Sequence, residues 1–132
     1  MLQLAWNFSA SVGGGPSVSA KSSPQVGALD KAVVTIKNDG NETVVDLQPA
    51  ATEKVLLLVA QSSAASEKVT IRISDGANNP KATGDLSLAQ PLLLAGSALA
   101  LLPGAPKQAI LKYAAGGGDA VATVELLVAR KL

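Results

Sequence analysis

Alternation restricts this chain more than any other feature. From Leu2 to Val12 the even positions are apolar (Leu2, Leu4, Trp6, Phe8, Ala10 and Val12), while Gln3, Asn7, Ser9 and Ser11 lie between them. A period of two places one apolar face on a strand and cannot place one on a helix. "VGGGP" then turns the chain, and "SVSAKS" reads as a second strand. "KAVVTIK" and "ETVVDLQ" flank "NDGN", where Asp39-Gly40 carries the positive-φ chemistry of a tight hairpin. "KVLLLVA" is apolar on both faces and reads as a central strand covered on two sides. "KVTIRIS" alternates Val69, Ile71 and Ile73 with Thr70, Arg72 and Ser74, and "DLSLAQ" is a short edge candidate. "QAILKYA" and "VATVELLVARKL" complete the set, the latter with Val124, Leu126 and Val128 on one face. The run 91–103, "PLLLAGSALALLP", fits either a two-turn helix or an extended buried segment. Its Leu and Ala favour the helix, and Gly96 and Ser97 oppose it.

About eight strands broken by Gly, Asn, Asp and Pro predict an all-β fold, an antiparallel β-sandwich or jelly-roll-like barrel with little helix. No repeat period or charge block divides the chain, so residues 1–132 are expected to form a single β domain. A domain of that size buries roughly two thirds of its unfolded surface and folds without metal or disulfide support.

One stretch invites a catalytic reading. In "GPSVSAKS", Gly15, Lys21 and Ser22 fall in register with a phosphate-binding loop, but Ala20 stands where the second glycine belongs. Such a loop works by opening a helix whose free N–H groups hold the phosphates. Pro24 and Gly27 follow at once, so no helix is expected there. Read by period two, Val18 and Ala20 share one strand face and Ser17, Ser19 and Lys21 the other.

The absence of His and Cys removes imidazole bases, Ser-His-Asp triads, thiolate nucleophiles and the common zinc ligands. Asn38, Asp39, Asn41, Glu42 and Asp46 cluster oxygens near one turn, but their spacing does not match a calcium loop, and turn chemistry accounts for them. The chain is therefore expected not to be an enzyme and to carry no cofactor or metal. Eleven basic against ten acidic residues, scattered singly, predict neither a nucleic-acid nor a membrane partner. The N-terminal stretch lacks a basic segment followed by a continuous apolar core, so no secretory signal peptide is expected there. The sequence places its candidate core or interface residues in two groups: Leu2, Leu4, Trp6 and Phe8 in the first strand, and Leu92, Leu93, Leu94, Leu99, Leu101 and Leu102 in the late apolar run.

Three segments, "MLQLAWNFSASVGGGPSVSA", "PLLLAGSALALLPGAPKQAILKYA" and "VELLVARKL", resemble in layout the small β-fold capsid decoration (cement) proteins that tailed double-stranded-DNA bacteriophages encode among their head genes. The resemblance implies a homotrimer on the capsid surface of the virion. Its partner would be the major capsid protein, and its role to clamp neighbouring capsomers. No segment of the sequence stands out as an arm for that attachment. The alternative is an extracellular β-sandwich binding module, such as an adhesin, pilus or fibre subunit, which calls for an export route and a ligand platform.

Overall fold

The computed structural model describes residues 2–11, 13–22, 25–47, 54–77, 81–102, 106–116 and 118–131. Among them are twelve strands: β1 (Leu2–Gln3), β2 (Trp6–Ser11), β3 (Ser17–Ser22), β4 (Gln25–Val26), β5 (Ala28–Lys37), β6 (Glu42–Asp46), β7 (Lys54–Ser62), β8 (Val69–Ser74), β9 (Leu86–Ser87), β10 (Leu92–Ala95), β11 (Gln108–Tyr113) and β12 (Val121–Lys131). A single 3₁₀ segment, Gly96–Leu101, follows β10. The described part of the run 91–103 is therefore extended at Leu92–Ala95 and 3₁₀-helical at Gly96–Leu101, so both forms occur in it.

Eight of the strands build two antiparallel four-stranded sheets, ordered β10-β7-β12-β5 and β6-β11-β8-β9. The pairing is nested: β5 pairs with β12, β6 with β11, β7 with β10 and β8 with β9. A long hairpin doubled over in this way, with its partners dealt alternately to two sheets, is the jelly roll. The all-β sandwich expected from the alternation is thus observed.

The alternation also fixes which side chains meet. Val69, Ile71 and Ile73 of β8, Ala109 and Leu111 of β11, and Ala122, Val124, Leu126 and Val128 of β12 all turn into one core between the sheets. Leu58 and Ala60 of β7 join them. β7 is central, as its doubly apolar sequence requires, and a smaller cluster centred on Leu57 and Ala129 covers its other face. A register shift between Ala129 and Arg130 against β7 makes room for Leu56, so that Val55 still reaches the main core.

Two sequence expectations need correction. The stretch 2–12 does not form one strand. Leu2 and Gln3 pair with β4, the chain breaks at Leu4 and Ala5, and β2 pairs only with β3. Leu4 packs against the Leu57 and Ala129 cluster, and this anchor separates the two pairings. The second correction concerns Asp39-Gly40, which does not close a hairpin. β5 and β6 lie in different sheets, and the turn carries the chain across the sandwich. Gly40 has φ +78°, and its N–H donates to the Tyr113 carbonyl of the opposite sheet at 3.0 Å. Positive φ serves a corner as well as a hairpin. A Cβ at Gly40 would meet Ala115 only at ordinary contact distance, 3.7 Å, so backbone conformation alone sets the cost of a side chain there. Gly40→Ala should lower stability by about 1–2 kcal/mol, read from the midpoint of a urea melt. Phe8, a candidate for the core or an interface, lies outside the core, as the next section describes.

Candidate interaction surface

β2 and β3 form a two-stranded ribbon that belongs to neither sheet. Its register pairs Phe8 with Ala20, Ala10 with Val18, Asn7 with Lys21, Ser9 with Ser19 and Ser11 with Ser17. Alternation makes it amphipathic, with Phe8, Ala10 and Val18 on one face and a row of serines, Asn7 and Lys21 on the other. Both faces are open to solvent: Phe8 is 47% exposed and Val18 66%. The turn between the strands uses Gly14 at φ +72°, which a residue with a side chain would resist. Gly15, Lys21 and Ser22, the fragments of a phosphate-loop pattern, lie on this turn and strand, and no helix follows them.

A second apolar surface is the outer face of the β10-β7-β12-β5 sheet. The strand registers align two cross-sheet rows there. One runs Ala95, Leu57, Ala129, Leu29, and the other Leu93, Val59, Leu127, Lys31. Leu4 packs on the cluster formed by the first row. The second row is uncovered: Leu93 is exposed, and Val59 and Leu127 are half-buried. A depression of about 190 Å³ opens over Val59 and Leu127, rimmed by Lys31, Gln61 and Glu125. Gln61 donates to the Glu125 carboxylate at 3.0 Å, and Lys31 lies 4.0 Å from it, so the rim charges are mutually engaged. Leu29 and Val33 of β5 extend the apolar surface toward the sheet edge.

The opposite outer face is of different character. There Arg72 reaches Glu42 at 3.4 Å and Asp85 at 3.3 Å, forming a half-exposed charged network across β6, β8 and the segment before β9. Exposed pairs of this kind contribute little stability and keep the face solvated.

The oxygens at 38–46 have structural work. Asp39 Oδ1 accepts from the Asn41 N–H at 2.9 Å, an Asx turn, and Glu42 pairs with Arg72. Asn38 is buried with its amide facing the carbonyls of Gly118 and Ala120; oriented with its nitrogen toward these acceptors, it donates to both (2.9 and 3.2 Å) and staples the loop before β12 to the end of β5. A cleft of about 360 Å³ lies beside it, lined by Lys37, Asp39, Asp119 and Val121. Among the described residues, no three or more His, Cys, Asp or Glu side chains are grouped to hold a metal ion.

The other candidates drawn from the sequence divide by position. Leu94 and Leu102 are buried in the main core, and Leu92 and Leu99 pack against it half-buried. Leu93 and Leu101 face solvent, Leu101 at 78% exposure. Backbone pairing places Leu2 and Trp6 in β1 and β2, while their side chains lie outside the described part of the structure. Sequence reasoning missed Val59 and Leu127 as surface residues. The signal was present in the doubled apolar positions of "KVLLLVA" and "VELLVA", where one residue of each adjacent pair must point outward.

The nested pairing gives the body a jelly-roll topology. No family model, curated protein or solved structure matches the chain.

Proposed function

We propose that the protein is a structural virion component, a decoration protein that seats on the outside of a bacteriophage capsid, binds the major capsid protein and stabilises contacts between capsomers. The observation that carries this reading is the combination of a jelly-roll body with an uncovered apolar sheet face and a projecting ribbon. Both are apolar, solvent-facing surfaces of the kind that seat on a partner, which supports this reading. Binding to a repetitive shell calls for neutral, shape-based contacts multiplied by symmetry, and the near-balanced charge of the chain suits that requirement. The absence of His and Cys favours such a role over chemistry. The layout of the chain, which resembles the decoration proteins along most of its length, supplies the expectation of a trimer. A fold alone does not assign a function, and jelly rolls also serve as lectins, so the test must separate shell from glycan.

Purified protein should co-sediment, saturably, with phage heads assembled from the cognate major capsid protein. Decorated heads should withstand heating that bursts undecorated ones. Failure to bind such heads, together with retention on immobilised glycans or host cell envelopes, would overturn the reading in favour of an adhesin-like module.

A further inference from the structure

We infer that copies of this chain assemble by arm exchange: the β2–β3 ribbon of one copy lies, apolar face down, across the Leu93, Val59, Leu127 row of another. This contact is independent of whatever the assembly binds.

Four observations lead there. The ribbon carries Phe8, Ala10 and Val18 on one face, and both Phe8 and Val18 are exposed. An isolated two-stranded ribbon is at best marginally stable in water, so this one requires a cover. The chain itself supplies a matching surface, because the uncovered row adjoins the patch on which Leu4 already packs. A neighbour's ribbon would thus extend an apolar contact that the N-terminal segment has begun. Dimensions agree as well. Strands of six residues are about 20 Å long, and the apolar row across three strands spans about 10 Å, so the ribbon covers the row in one pass. The depression of about 190 Å³ over Val59 and Leu127 is of a size to take one aromatic ring.

Charge narrows the occupant. Lys21 is the only charged residue between positions 6 and 22, so the ribbon offers nothing to a polyanion or an anionic membrane. Its apolar face needs an apolar acceptor, and Leu93, Val59 and Leu127 supply one, with the charges of Lys31 and Glu125 paired to each other at its rim. A single ribbon falls well short of the roughly 800 Å² per partner of an ordinary stable interface. Giving one arm and receiving another doubles the contact per copy, which selects a closed symmetric assembly over an open pair.

The test uses the full chain, whose lack of cysteine leaves a clean background for labelling. At tens of micromolar, light scattering should give a closed oligomer for the wild type. The double variant Phe8→Asp/Val18→Asp should run at the monomer mass of 13.2 kDa, with a melting temperature within a few degrees of wild type. Leu93→Asp should have the same effect from the receiving side. In a mixture of chains carrying Val18→Cys with chains carrying Leu93→Cys, a short bismaleimide should join the two; Ser19→Cys, on the opposite ribbon face, should react far less. A monomeric wild type, an arm variant that keeps the oligomer, or equal cross-linking from both ribbon faces would each overturn the inference. Cross-linking confined to a single chain carrying both Val18→Cys and Leu93→Cys would overturn it too, because the ribbon would then fold onto its own sheet. Capsid binding is a separate measurement, so a failed shell assay leaves these outcomes unchanged.

Discussion

Leu126→Ala should lower the unfolding free energy by about 3–4 kcal/mol, whereas Leu127→Ala, one residue along the same strand, should cost a small fraction of that. Leu126 is fully enclosed between the sheets, and its removal forfeits transfer free energy and leaves a cavity. Leu127 is half-buried on the outer face and leaves no enclosed void. Against the roughly 5–15 kcal/mol that a domain of this kind has in total, the first change consumes a large part. The two midpoints in urea, measured side by side, read the orientation of β12 directly. Comparable losses from both would mean that the register is wrong and that the inner and outer faces have been exchanged.

Arg130→Met should cost about 3 kcal/mol, and Asp30→Asn less than about 1 kcal/mol. Arg130 is 5% exposed, and its Nη1 donates to the Leu47 carbonyl at 2.9 Å. That bond ties the last strand of one sheet to the chain as it leaves β6 of the other. Without it a buried acceptor loses a charged donor, and the methionine cannot replace it. Asp30, although ion-paired with Arg130, is mostly in water and stays solvated when the pairing changes. Arg130→Lys should recover only part of the loss, since a single ammonium cannot reproduce the guanidinium fork. Thermal melts of the three variants decide the matter, and equal losses from Arg130→Met and Asp30→Asn would assign the stabilisation to the ion pair instead.

The sequence was most legible where a single strand decides its own pattern. Val69, Ile71 and Ile73, or Val124, Leu126 and Val128, declare an inner face because side chains alternate whatever their neighbours are. Partner choice was illegible, because it joins residues far apart. Asp39-Gly40 advertises a turn, yet whether β5 then pairs with β6 or with β12 depends on matches such as Val34 with Val124, which no local window contains. The amphipathic stripe at the N-terminus was visible for the same local reason, while what it faces was not. Leu4 and Phe8 sit on the same side of the alternation, yet one rests on the sheet and the other stands in solvent. Arg130 gave no signal at all. A basic residue near the end of an apolar strand looks like a solvated terminus until the chain leaving β6 brings a carbonyl to it.

The nested pairing dictates how the chain must be made. Ala28 finds its partner at Arg130, so the first strand of the body waits for the last. At about 5–20 residues per second of synthesis, β5 remains without that neighbour for roughly 5–20 s. Structure can accumulate only from the inside outward. β8 and β9, whose paired residues Ile71 and Leu86 are close in sequence, can meet early, and the sheet centred on β7 and β12 closes only when β12 has left the ribosome. Such topology folds slowly, because each outer pair must close a longer loop before any contact rewards it. In the interval the apolar faces of β5 and β7 lack their common neighbour, which makes the nascent chain dependent on the eleven residues of β12 to leave its aggregation-prone state.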